Sequence, residues 1–90
     1  MKESILKLLQ SDDYKIRLLG EYYELKERYD KLHKMVIKYE AGTLDFTPSC
    51  PLGLLERQAN LMEKYLNVLD IRLEIERIQI NSTDGIEVSK

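Results

Sequence analysis

Tyr14 is the residue of this chain best placed to do chemistry. It stands in the first turn of what reads as a long helix starting near Asp12, with Lys15 and Arg17 beside it. An aromatic face next to a helix N-terminus and two cations suits a nucleotide. The base stacks on the ring, and phosphate meets N–H groups and positive charge. The plainer use of an aromatic at this position is to pin the chain's approach to its helix. A second concentration of charge follows: between Lys26 and Lys38 five basic residues (Lys26, Arg28, Lys31, Lys34, Lys38) face two acids, Glu27 and Asp30, on a chain whose net charge is −2. Such a basic stretch can hold a small anion even on an acidic protein.

Catalysis finds no comparable support. It requires a nucleophile with a base, a carboxylate pair or a metal cluster, and this chain offers scattered acids, a lone His33 and a lone Cys50. His33 reads as a solvated surface residue and Cys50 as a small residue at the N-cap position of a later helix. One cysteine excludes an internal disulfide framework, and one histidine leaves no Cys/His set for zinc. The expectation is a protein that is not an enzyme and holds no metal and no cofactor. With 14 basic against 16 acidic side chains, a general DNA or RNA binder is disfavoured. No stretch approaches the roughly 20 apolar residues of a membrane span, and the start has too short an apolar run for a signal peptide. We therefore expect a soluble, unprocessed, cytosolic chain without membrane contact.

The elements that must carry these residues are helical. Leu18, Tyr22, Leu25, Tyr29, Leu32, Val36 and Tyr39 recur in steps of four and three, which lays them along one stripe of an α-helix as a seam for another helix. This helix is predicted over about 12–41, with Ser11 as N-cap, Asp12 and Asp13 against the positive end of its dipole, and Gly42 supplying the left-handed conformation that ends it. Gly20 inside it costs about 1 kcal/mol relative to alanine, and simple tolerance of that cost or close packing of a neighbouring helix is a more ordinary reason for it than a ligand. A shorter amphipathic helix over about 2–10, with Ile5, Leu6, Leu8 and Leu9 on one side, must dock on something to be stable. Thr43 to Cys50 reads as a turn region, with Leu44 and Phe46 tucked back onto the helices. Pro51 then starts a third helix running to about Ile80. Leu54, Leu61, Tyr65, Val68 and Ile75 form one of its stripes; Leu55, Met62, Leu66, Leu69, Leu73 and Ile80 form another beside it. Two stripes predict two partners: the preceding helix and a neighbouring subunit. Of the six tyrosines, Tyr22, Tyr29, Tyr39 and Tyr65 are expected in apolar interfaces.

The fold expected is therefore all-α: a short N-terminal helix followed by a long antiparallel helical hairpin, forming one domain over residues 1–80 with a flexible tail at 81–90. A chain of 90 residues buries only about 60–65% of its unfolded surface by itself, and a helical pair shares a single seam, so a homo-oligomer is expected.

The third helix carries Leu54-Leu55, Gln58, Met62, Tyr65, Leu69 and Arg72 at the spacing L-L-x-x-Q-x-x-x-M-x-x-Y-x-x-x-L-x-x-R, after a tyrosine-led helix containing ELKERYDKL. Over about residues 11–78 this resembles the phage anti-CBASS sponge family, small helical proteins also met as short proteins of crAss-like phages. The resemblance implies a helical oligomer, a hexamer in the known case, that captures cyclic di- and trinucleotide signals in the host cytoplasm without cleaving them. It further implies a tyrosine near the start of the long helix stacking on a base, with a basic residue about four turns on holding phosphate. Aligned on the E-L-x-E-[KR] run, these are Tyr14 and Arg28, with Lys31 as the alternative basic residue. Arginine stands where the family pattern has lysine, which keeps the charge but changes the donor geometry.

Tyr14 and Arg28 lie 14 positions apart, about 21 Å along a helix, too far for one small cyclic dinucleotide to bridge. A site using both must lie between subunits. The competing readings are a helical protein-interaction module, whose tyrosines are interface and whose lysines are solvated flanks, and a sponge for another nucleotide signal such as a cyclic ADP-ribose.

Overall fold

A computed structural model of the chain describes residues 3–79. All regular structure among them is helical: α1 spans Glu3–Leu9, α2 Tyr14–Ala41 and α3 Leu52–Ile75. α1 packs on α2, and α2 packs on α3. The core joins Leu18, Leu19, Tyr22 and Leu25 of α2 to Leu66, Leu69 and Leu73 of α3. Leu18, Tyr22 and Leu25 belong to the expected seam of α2 and Leu66, Leu69 and Leu73 to the second of the two stripes of α3, whereas Leu19 lies outside the expected seam. Leu19 and Leu69 are completely enclosed. Val36, Leu55 and Ala59 are buried further along the pair, whereas Tyr39, at the far end of the expected seam, is exposed. Leu8, Tyr23, Tyr29, Met62 and Ile78 are partly buried against the core.

α2 begins two residues later than expected. Asp13, not Ser11, is its N-cap, with extended backbone and a carboxylate that accepts from the Lys15 N–H at 2.9 Å. The Ser11 hydroxyl instead accepts from the Asp13 N–H at 3.0 Å and shapes the turn before the cap. Gly42 ends the helix as expected, at φ 78°: its N–H donates to Tyr39 O at 3.1 Å, and the Thr43 N–H to Lys38 O at 2.9 Å. This pair of bonds satisfies carbonyls that the end of a helix would otherwise leave free. Pro51 is the N-cap of α3 rather than its first residue, and Cys50 is exposed and caps nothing. In the connecting turn Phe46 is exposed, contrary to the expectation that it tucks onto the helices.

α3 stops at Ile75, not near Ile80. The cause is a second left-handed turn, built on Arg77 at φ 60°. The Arg77 N–H donates to Glu74 O at 3.0 Å and the Ile78 N–H to Leu73 O at 2.9 Å. Ile78 thereby folds back onto the core, the hydrophobic contact that accompanies this kind of helix end. Ile80 and the tail expected over 81–90 lie outside the described residues.

Gly20 is explained by α1. A Cβ at this position would stand 2.9 Å from Leu8 Cβ and 3.0 Å from the Leu9 backbone nitrogen, so glycine lets the short helix lie directly on the long one. Ile5 supplies the buried anchor of α1.

A candidate nucleotide cleft

Tyr14 is the first residue of α2 and remains half exposed. With Leu9, Arg17, Leu18, Glu21 and Arg72 it lines a cleft of about 360 Å³ where the start of α2 meets the later part of α3. Two arginines thus stand by one tyrosine, from two different helices. Arg17 is anchored by its guanidinium, which donates to Ser11 O at 2.7 Å across the junction between α1 and α2. Arg72 makes no ion pair among the described residues. It acts on Tyr14 electrostatically, favouring the ionised phenol against several influences in the other direction.

Two tyrosine hydroxyls cross between the helices to carboxylates. Tyr14 donates to Glu76 Oε2, and Tyr65 to Glu21 Oε2. The bond to Glu76 is the main reason the Tyr14 phenol titrates above its ordinary range, since the neutral O–H is what a carboxylate wants as donor. Lys15 Nζ lies 3.7 Å from the other oxygen of Glu76, so this expected cation is directed toward a carboxylate rather than left free.

The first turn of α2 differs from an open anion site. The Asp13 carboxylate already accepts the Lys15 N–H and places negative charge where phosphate was expected to meet the backbone. Positive charge in the cleft comes instead from the arginine side chains. In the sequence Arg72 is one position of the spaced pattern on α3, and spacing alone does not bring it to Tyr14. What places it in the cleft is the pairing of α2 with α3: burial of Leu18 against Leu69 and Leu73 brings the residue before Leu73 to the start of α2.

Arg28 and Lys31 do not line this cleft. Arg28 lies on the same uninterrupted helix as Tyr14, largely exposed, with its guanidinium on Glu24 Oε2 at 3.0 Å, one turn earlier. Lys31 is exposed and has no ion pair among the described residues. Lys26, by contrast, holds Asp30 at 2.9 Å, and that hydrogen bond raises its pKa. His33 stacks on Tyr29 with ring centroids 5.3 Å apart. No group of three or more His, Cys, Asp or Glu able to hold a metal occurs among the described residues. None of their helices is long and apolar enough to cross a membrane.

No curated protein and no solved structure matches the chain. A family model described as Sequestin matches residues 12–75, a span that takes in α2, the connecting turn and α3. The chain belongs to the Sequestin family, the phage anti-CBASS cyclic-nucleotide sponges that its sequence resembles.

Proposed function

We propose that the chain is a phage anti-defence protein that binds cyclic di- or trinucleotide immune signals in the host cytoplasm and holds them without cleaving them. The observation that carries this reading is the Tyr14 cleft with Arg17 and Arg72 beside the ring, in a chain of the Sequestin family. An aromatic face gives a base something to stack on, and arginine gives phosphate paired donors. At about 360 Å³ the cleft is at the small end of ligand pockets, which run roughly 300–1,000 Å³. It has room for a base and its phosphate, with a neighbouring protomer supplying the remaining wall. Arg28, or Lys31 beyond it, then reaches phosphate from that neighbour. The proposal takes residues 1–80 as one domain, α2 and α3 as an antiparallel hairpin, and the assembly as a homo-oligomer, hexameric as the family resemblance implies.

The test is native mass spectrometry of the protein with a panel of cyclic di- and trinucleotides and cyclic ADP-ribose, followed by denaturation and chromatography of what was bound. The expected result is an oligomer that releases one member of the panel intact. Tyr14→Ala should abolish that binding with assembly unchanged, and Arg28→Ala should weaken it about tenfold or more, the loss of one charge-assisted contact. An oligomer that ignores the panel would instead identify a helical protein-interaction module.

A further inference from the structure

We infer that Glu76 is a positioning residue for this site: its carboxylate holds the Tyr14 ring in the orientation that receives a base. The inference rests on the reading of Tyr14 as the stacking residue. Tyr14 begins its helix and is 48% exposed, so its own element does little to fix the ring. A stacking platform that must first be ordered loses affinity to the ligand's disadvantage, and one already held does not. What holds it is a single hydrogen bond across 62 positions of sequence, from the phenol to Glu76 Oε2.

Glu76 is itself well fixed. It caps α3, and its N–H donates to Arg72 O at 3.0 Å. Arg77 then turns left-handed, and Ile78 is tied back to Leu73 and packed on the core. The turn that ends α3 therefore delivers a carboxylate to the start of α2. Attraction of the ligand cannot be the purpose of that carboxylate, because a negative charge near a phosphate site costs affinity. Lys15 at 3.7 Å offsets part of the charge. The useful property is that Glu76 accepts the phenolic hydrogen, which a neutral amide oxygen also does, though more weakly. This separates positioning from charge.

Isothermal titration with cyclic di-AMP, cyclic GMP-AMP and cyclic tri-AMP tests the inference, using whichever the protein binds best. Glu76→Gln should bind as tightly as the parent or tighter. Glu76→Ala and Tyr14→Phe should each weaken binding about tenfold, and the double variant should be no worse than either, because both remove one interaction. Circular dichroism and native mass spectrometry should show all four variants folded and assembled alike. Glu76→Ala binding like the parent would overturn the inference, as would additive losses in the double variant or a Glu76→Gln loss equal to that of Glu76→Ala. Binding that Tyr14→Ala abolishes and Glu76→Ala leaves intact would retire Glu76 alone. A parent protein that binds none of the three would overturn the functional reading and the inference together.

Discussion

Arg77 holds a backbone conformation that L-residues resist, since at φ 60° its Cβ crowds a carbonyl at a cost of roughly 1–2 kcal/mol. The turn persists because the Ile78 N–H reaches Leu73 O and the Ile78 side chain joins the core. Arg77→Gly should therefore stabilise the fold by about 0.5–1 kcal/mol, the relief of strain less the extra entropy that glycine loses on folding; thermal unfolding measures it, and a lower midpoint would show that the arginine side chain supports the turn. The contrast with Gly42 explains what was legible residue by residue. At Gly42 a left-handed helix end carries its usual glycine and was read directly. At Arg77 it carries none, and Ile80, seven positions after Leu73 on one stripe, prolongs the helical pattern past the true end. Tyr22 gives a prediction of another kind. Its burial, and secondarily the nearby Asp70, raise its phenol pKa in the folded state. The contribution is therefore fully present below the unfolded value of about 10 and is lost as pH rises through the folded one. Stability should fall with pH above about 10, and Tyr22→Phe should flatten that fall in urea titrations at successive pH values.

At the scale of elements, α1 is held by one close approach. It is seven residues long, too short to be helical alone, and depends on Ile5 and on the room left by Gly20. Gly20→Ala would gain about 1 kcal/mol in helix propensity but lose roughly 1–3 kcal/mol to overpacking, because the new Cβ meets α1 at Leu8 Cβ and the Leu9 backbone rather than a flexible side-chain end. The net expectation is a modest loss of stability with α1 displaced, seen as faster amide exchange over Glu3–Leu9 while α2 and α3 keep their protection. Leu9 also lines the Tyr14 cleft, and Arg17 is tied to Ser11 just past α1, so movement of the short helix should carry through to ligand affinity. The sequence made the periodicity of each helix legible, including both stripes of α3. Which stripe of α3 meets α2 was not, because leucine and valine at helical spacing fit either partner. The cleft was half legible for the same reason: Tyr14 and Arg17 share one helix, whereas Arg72 joins them through packing.

At the scale of the whole molecule, the extents are 43 × 24 × 20 Å, an elongated body in which a paired seam leaves the outer faces of the helices wet. On α3 the uncovered face is apolar along its length: Leu54, Leu61, Tyr65, Val68, Ile71 and Ile75 are all exposed, Leu61 at 60% and Ile75 at 72%. An apolar ridge of this kind on a small acidic chain calls for a partner, and the proposed homo-oligomer provides one. Assembly and binding should then fail together, since Arg28 lies about 21 Å along α2 from Tyr14 and, in the proposed assembly, would reach the cleft from another copy. Leu61→Glu combined with Val68→Glu should give monomers that keep their helical circular dichroism, because neither side chain belongs to the core between α2 and α3. These monomers should lose cyclic-nucleotide binding by about tenfold or more, the loss of the neighbour's charge-assisted contact. Sedimentation velocity gives the first result and titration the second. Monomers that bound as tightly as the parent would place the whole site within one chain, with Arg17 and Arg72 as its phosphate grip and Arg28 as an ordinary surface partner of Glu24.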